Sequence, residues 1–308
     1  MVFLLGVMMK IYSGLVAVLL ICMQTVVARL QVLDNEPQNV ELINTLEMRF
    51  CYISFVKING KKYIVKQKKS DCLRKLLSVV RDGVMAHFAE GFIDAHRVDI
   101  IPAGKAFPGK PRVDWPATIH TIAPGKMIKA QHSPYDGMNI KQADIGFRRD
   151  MLSWMAMHPA LVKIVAFDTF LCNHDRHRGN LFYNKKTASF CAIDMDSAFK
   201  FNLCLLACKN FSAMLNDKNL QLSRKEINVL IEYKKQLQLL IDKYKPEDTL
   251  KTYNYFAKKA GFVEGSDLYT EKFMVEIEQN KKTIIQRYHD VKKLVLIVDQ
   301  LIKKYKKA

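Results

Sequence analysis

None of the seven cysteines forms a C-x-x-C pair, so a zinc site is not expected. No internal repeat and no low-complexity segment is present, which excludes a solenoid or a compositionally disordered chain. Acid is scarce: 30 Asp and Glu stand against 48 Lys and Arg, a formal net charge of +18. A field of that sign favours anionic partners such as nucleotides, phosphoinositide headgroups, nucleic acid or acidic membrane surfaces. The competing source is a general lysine enrichment, since many lysines fall in the C-terminal third, ending in Lys303-Lys304-Tyr305-Lys306-Lys307. The rest of the composition is ordinary, with 49% hydrophobic and 25% charged residues in 308. That length holds one two-lobed domain or two small ones, with ample core.

Residues 1–28 read as an export signal. Lys10 supplies positive charge, Gly14 to Met23 an apolar segment, and Val26-Val27-Ala28 small residues for cleavage. An uncleaved membrane anchor is the alternative. The chain is therefore expected to be exported (periplasmic or secreted) or held at a membrane by this segment. Cys172 and Cys191 sit in apolar stretches and read as core residues.

From about 38 to 67 the pattern is β. Arg49 to Ile58 is rich in aromatic and β-branched residues, Asn59-Gly60 signals a hairpin, and Lys61 to Gln67 returns. Residues 71–90 carry Leu73, Leu76, Leu77, Val80, Val84 and Phe88 at helical spacing. Trp115 to Ile122 reads as a strand, and Arg148 to Leu171 as a helix interrupted near His158-Pro159. Ser223-Arg224-Lys225-Glu226 is a capping box opening a helix that Pro246 stops. A second helix runs from about 247 to 260, and Ser266-Asp267 opens a last long one.

The chemistry concentrates in Asn173-His174-Asp175-Arg176-His177-Arg178-Gly179-Asn180 and in Ala192-Ile193-Asp194-Met195-Asp196. Asn180 follows Asp175 by five residues, and Asp194 follows Asn180 by fourteen, across a hairpin of 181–183 and 189–193 with its turn at 184–187. Phosphoryl transfer needs a carboxylate to orient the attacking hydroxyl and oxygen ligands to hold Mg²⁺ against the nucleotide phosphates. An Asp, an Asn at plus five and an Asp after the next hairpin supply those groups in the right order.

At Asp175-Arg176-His177-x-x-Asn180, Ile193-Asp194 and Phe199 the chain resembles the phosphoinositide 3- and 4-kinases and their atypical relatives, such as the HipA-type Ser/Thr kinases. The close resemblance spans about residues 160–200, with weaker support from about 50–125. Asp196 departs from it, standing where those kinases usually carry Gly, and no lipid-kinase activation-loop signature is evident. A G-x-G-x-x-G is absent here as it is in phosphoinositide kinases, which argues against a standard protein kinase more than against ATP.

The resemblance implies an α+β, bilobal, protein-kinase-like fold. Its small β-rich N-lobe would span 38–122, and a larger helical C-lobe 123–308. It implies ATP and Mg²⁺ as cofactors, and a hydroxyl of a protein Ser/Thr or of a phosphoinositide as acceptor. Asp175 would orient that hydroxyl, and His177 would support the loop or the developing charge. Asn180 and Asp194 would hold Mg²⁺, and Lys66 would grip the phosphates. Asp82 (or else Glu90) would be the acid partner of Lys66, and Ile122 would mark the adenine-binding hinge. An anionic membrane surface is a further partner, and nucleic acid is disfavoured.

Two alternatives compete. An inactive kinase fold retained for binding would not need Asp175, Asn180, Asp194 and Lys66 together. A metallophosphoesterase is suggested by Asn173-His174-Asp175 and by Asp94-x-His96, but the Gly-Asp-x-x-Asp and Gly-His-x-His blocks that complete two metal sites are missing.

Overall fold

The computed structural model describes residues 39–69, 73–127, 152, 155–156, 159–173, 176, 178–194, 196–199 and 203–306. The export segment read at residues 1–28 lies outside them. No helix among the described residues is long and apolar enough to cross a membrane.

The N-terminal half is built on one antiparallel sheet. Strands β1 (Val40–Glu47), β2 (Cys51–Ile58), β3 (Lys61–Lys68), β4 (Val98–Ile101) and β5 (Ala117–Thr121) take the order β1-β2-β3-β5-β4. Asn59 and Gly60 both have left-handed φ, 47° and 82°, as the tight turn between right-twisted strands requires. This fixes the register at Ile58 opposite Lys61 and Ile53 opposite Lys66. Because side chains alternate along a strand, Val65 and Gln67 are buried while Lys66 and Lys68 share the other face. Val56, Ile58, Val65, Ile101, Phe107, Ala117 and Ile119 make a small core of their own.

The helix expected over 71–90 forms in two pieces, Leu73–Leu76 and α1 (Ser78–Ala89). Helix α1 is buried nearly all round because it lies between the sheet and α5 (Pro246–Ala260). Gly83 permits this approach: a Cβ there would stand 2.7 Å from Cδ1 of Phe256. The strand expected over 115–122 is shorter, Ala117–Thr121, because the Trp115 carbonyl is taken by the Gln67 side chain at 3.1 Å rather than by a strand.

A second sheet joins β6 (Lys126–Met127), β7 (Leu181–Asn184) and β8 (Ser189–Ala192). Helix α2 (Ala160–Leu171), which lies between β6 and β7 in the chain, carries apolar residues on every face and is correspondingly buried. Around it pack α3 (Leu203–Asn216), α4 (Arg224–Lys243) and the 36-residue α6 (Glu271–Lys306), and α5 joins the same core. The capping box at Ser223 and Glu226 forms as expected and opens α4. The last helix starts at Glu271 rather than at Ser266. The Ser266 hydroxyl instead donates to the Gly261 carbonyl, and Thr270 caps α6 by accepting from the Phe273 amide. The fold class is α+β, a β-rich N-terminal region followed by a helical C-terminal one, as expected.

Candidate functional site

The hairpin β7–β8 and the strand β3 bring their ends together. Asp194 lies two residues past β8 in a left-handed conformation, φ 53°, uncommon for a residue with a Cβ although Asp adopts it more readily than most. Its Oδ1 accepts a hydrogen bond from Lys66 Nζ at 2.6 Å, across 128 residues of sequence. Asp196 adds a second carboxylate, 3.1 Å from Lys66 Nζ and 2.5 Å from Lys68 Nζ. Burial acts to lower the pKa of Lys66, but the carboxylates of Asp196 and Asp194 outweigh it and hold the ammonium well above its usual value. Lys66 therefore stays charged across the physiological range.

The loop before the hairpin is held from below. The left-handed Cys172, φ 55°, ends α2, and the Asn173 amide returns to the Asp168 carbonyl at 2.9 Å. Arg176 binds Asp168 through Nε at 2.8 Å and Nη2 at 3.0 Å. Its Nη1 donates to the carbonyls of Asn180 at 2.9 Å and Ile193 at 2.6 Å. The amide of Ile193 closes onto the Asn180 carbonyl at 3.0 Å. One guanidinium thus fixes the spacing between Asn180 and Asp194. Arg81, on α1, donates from Nε to the Asp196 carbonyl at 2.9 Å and ties that helix to the same loop.

Of the residues singled out from sequence, Lys66 and Asp194 meet directly, and Asn180 is bound to the same loop. Asp82 is fully buried on α1 near Lys66, yet the lysine's hydrogen bonds go to Asp194 and Asp196. Asp82 Oδ2 instead stands 3.5 Å from His120 Nε2. Burial raises the Asp82 pKa to about 7, against the pull of Lys66. Ile122 is exposed, one residue past β5. Since Lys66 faces Thr118 in the β3–β5 ladder, Ile122 lies about 13 Å along the sheet from it. Asp175 and His177 fall outside the described residues.

Sequence reasoning missed Asp168, Arg81 and the role of Asp196 as a partner of Lys66. Asp168 carried a signal, a lone carboxylate inside a mostly apolar helix, since a buried charge needs a partner. The oxygen-rich set of Asn180, Asp194 and Asp196 beside a buried ammonium fits a hard divalent cation with an anionic ligand better than it fits a soft metal.

No protein-family model matches the chain, and no curated protein matches it by sequence. Among solved structures it is similar to the Helicobacter pylori proinflammatory kinase CtkA. That match has a TM-score of 0.49 at 10% identity over 86% of this chain and 96% of that one. It is also similar to APH(2")-IIia in its GDP and kanamycin complex, with a TM-score of 0.29 at 11% identity over 85% and 99%. Likenesses this distant carry no argument about activity, which rests on the geometry.

Proposed function

We propose that the chain is an ATP-dependent kinase that transfers a phosphoryl group to a hydroxyl of a protein Ser/Thr or of a phosphoinositide. The observation that carries this reading is the 2.6 Å contact of Lys66 Nζ with Asp194 Oδ1. It places a permanent cation and an oxygen ligand at one point between the sheet and the β7–β8 hairpin.

In this reading Lys66 binds the nucleotide phosphates, and Asn180 and Asp194 hold Mg²⁺, which when bound neutralises charge at the transferring group. Asp175 accepts the proton of the attacking hydroxyl while Arg176 keeps the loop that carries it in register. Phosphates entering the site displace Asp196 from Lys66, and Lys68 remains to neutralise that carboxylate. The basic chain suits an anionic substrate or a membrane surface. With residues 1–28 as an export segment or anchor, the acceptor would be met outside the cytosol.

The test is Mg-ATP binding and phosphoryl transfer by the full chain, using Ser/Thr peptides and phosphatidylinositol vesicles as acceptors. Lys66→Met and Asp194→Ala should cut turnover by about a hundredfold or more and weaken Mg-ATP binding. Asp175→Ala should abolish turnover with binding intact. If the unaltered chain binds no Mg-ATP, the kinase reading fails; binding without turnover on either acceptor would favour the inactive binding fold.

A further inference from the structure

A second cluster lies near Lys66. Asp82 comes from α1, His96 from the segment entering β4, and His120 from β5. All three are buried, at 1%, 4% and 7% exposure, and one ligand atom from each lies within 4.8 Å of the others. The two imidazoles stand 4.8 Å apart, centroid to centroid. Two of the cluster's polar atoms, Asp82 Oδ1 and His96 Nε2, have no hydrogen-bond partner among the described residues. Buried polar atoms are rarely left this way.

The histidine geometry gives the vacancy a direction. His96 Nδ1 stands 3.2 Å from the Ala192 carbonyl, an oxygen that can only accept. The proton therefore sits on Nδ1, and the lone pair on the partnerless Nε2. A ring nitrogen freed by a carbonyl bond at its twin is the arrangement in which metal-ligating histidines are held. His120 Nε2 faces Asp82 Oδ2 at 3.5 Å and the Thr118 hydroxyl at 2.6 Å. That hydroxyl has a second acceptor in the Lys66 carbonyl at 3.4 Å, so it can release the nitrogen.

We infer that Asp82, His96 and His120 form a buried site for a divalent transition metal of the zinc class, distinct from the oxygen site at Asn180 and Asp194. Two imidazoles and one carboxylate suit zinc and its neighbours, whereas Mg²⁺ takes oxygen ligands. Ligands bonded to zinc at 2.0–2.1 Å stand about 3.3 Å apart in a tetrahedron, so from separations within 4.8 Å the side chains close by up to about 1.5 Å on binding. His96 also lines a cleft of about 220 Å³ whose walls carry both acids (Glu90, Asp94) and bases (Arg97, Lys259), which gives the ion a polar way in. Once bound, the metal clamps α1 to the sheet. Through the Ala192 carbonyl it also steadies the hairpin two residues before Asp194. It occupies Asp82 as well, leaving Lys66 to Asp194 and the phosphates. The site stands whether or not the chain is a kinase.

Titrating the chelator-treated full chain with Co²⁺ and then Zn²⁺ decides the matter. The expected result is one equivalent of Co²⁺ with a visible absorption band of nitrogen-containing low-coordinate type, displaced by Zn²⁺, and a rise of several degrees in Tm. His96→Gln and His120→Gln should weaken binding by at least about tenfold, since loss of even an outer partner costs 10–100-fold. Asp194→Ala should keep the band. Failure to bind one equivalent, an oxygen-only spectrum, or binding unchanged in both histidine variants overturns the site. If a variant does not fold, the spectrum of the unaltered chain still decides.

Discussion

Asp168 and Asp82 are both carboxylates on well-buried helices, yet their surroundings differ in kind. Both oxygens of Asp168 are used, by Asn173 Nδ2 at 2.8 Å and by two nitrogens of Arg176 at 2.8 and 3.0 Å. Asp82 has one oxygen near a histidine and one with no partner. Depth of burial is the same, so depth does not separate framework from site. The number of satisfied lone pairs does, because a closed network rigidifies a core and an open one implies a missing ligand.

Three experiments sharpen this contrast. The largest effect belongs to Arg176→Ala, which strands the Asp168 charge and two carbonyls and should lower unfolding free energy by about 3–5 kcal/mol in denaturant titration. Asp82→Asn should act in the opposite direction in the metal-free chain at pH 7, stabilising it by about 2 kcal/mol, because a poorly partnered buried charge is removed. In the zinc-saturated chain the same change should lower Tm. Destabilisation in both states would erase the distinction between the two aspartates.

The smallest effect is a slope. Burial depresses His96 to about 4, and burial with the neighbouring His96 holds His120 well below its usual value. Their stabilisation is therefore intact above about 6.5 and lost on acidification. Asp82, raised to about 7, does the reverse and gains as pH falls towards its unfolded value. Between about pH 4 and 6.5 the unfolded chain holds one more proton on this cluster than the folded one. Its contribution should fall by about 1.4 kcal/mol per pH unit on acidification. Asparagine at position 82 removes the opposing group, so unfolding measured from pH 6.5 to 4.5 should show about twice that slope; an unchanged slope would contradict the assignment.

The legible parts of the molecule were those written in short spacings. Asn59-Gly60 carries its turn in two residues, Ser223 and Glu226 their cap in four, and the β7–β8 hairpin its alternation between Leu181 and Ala192. Lys66 and Asp194 could each be singled out from local pattern, although only the fold shows that their side chains touch. The cluster of Asp82, His96 and His120 has no such signature. Its members sit on three elements, and β4, which His96 leads into, has four residues and no turn chemistry to announce it. Asp94-x-His96 drew notice as a metal pair, but the fold gives His96 different neighbours. Asp168 was hidden for another reason: its partner Arg176 reads as part of the motif rather than as the motif's support.

The two cores have different histories during synthesis. The five-stranded sheet takes all its strands from residues 40–121, whereas the cover of α2, supplied mostly by α4, is completed only when α6, buried through Ile302, has been made. At 5–20 residues per second, the 131 residues from Leu171 to Ile302 take about 7–26 s to emerge. During that interval the buried, mostly apolar α2 is only partly covered, whereas the sheet already has all its strands. The helical half is thus the one whose yield should follow the supply of holding factors.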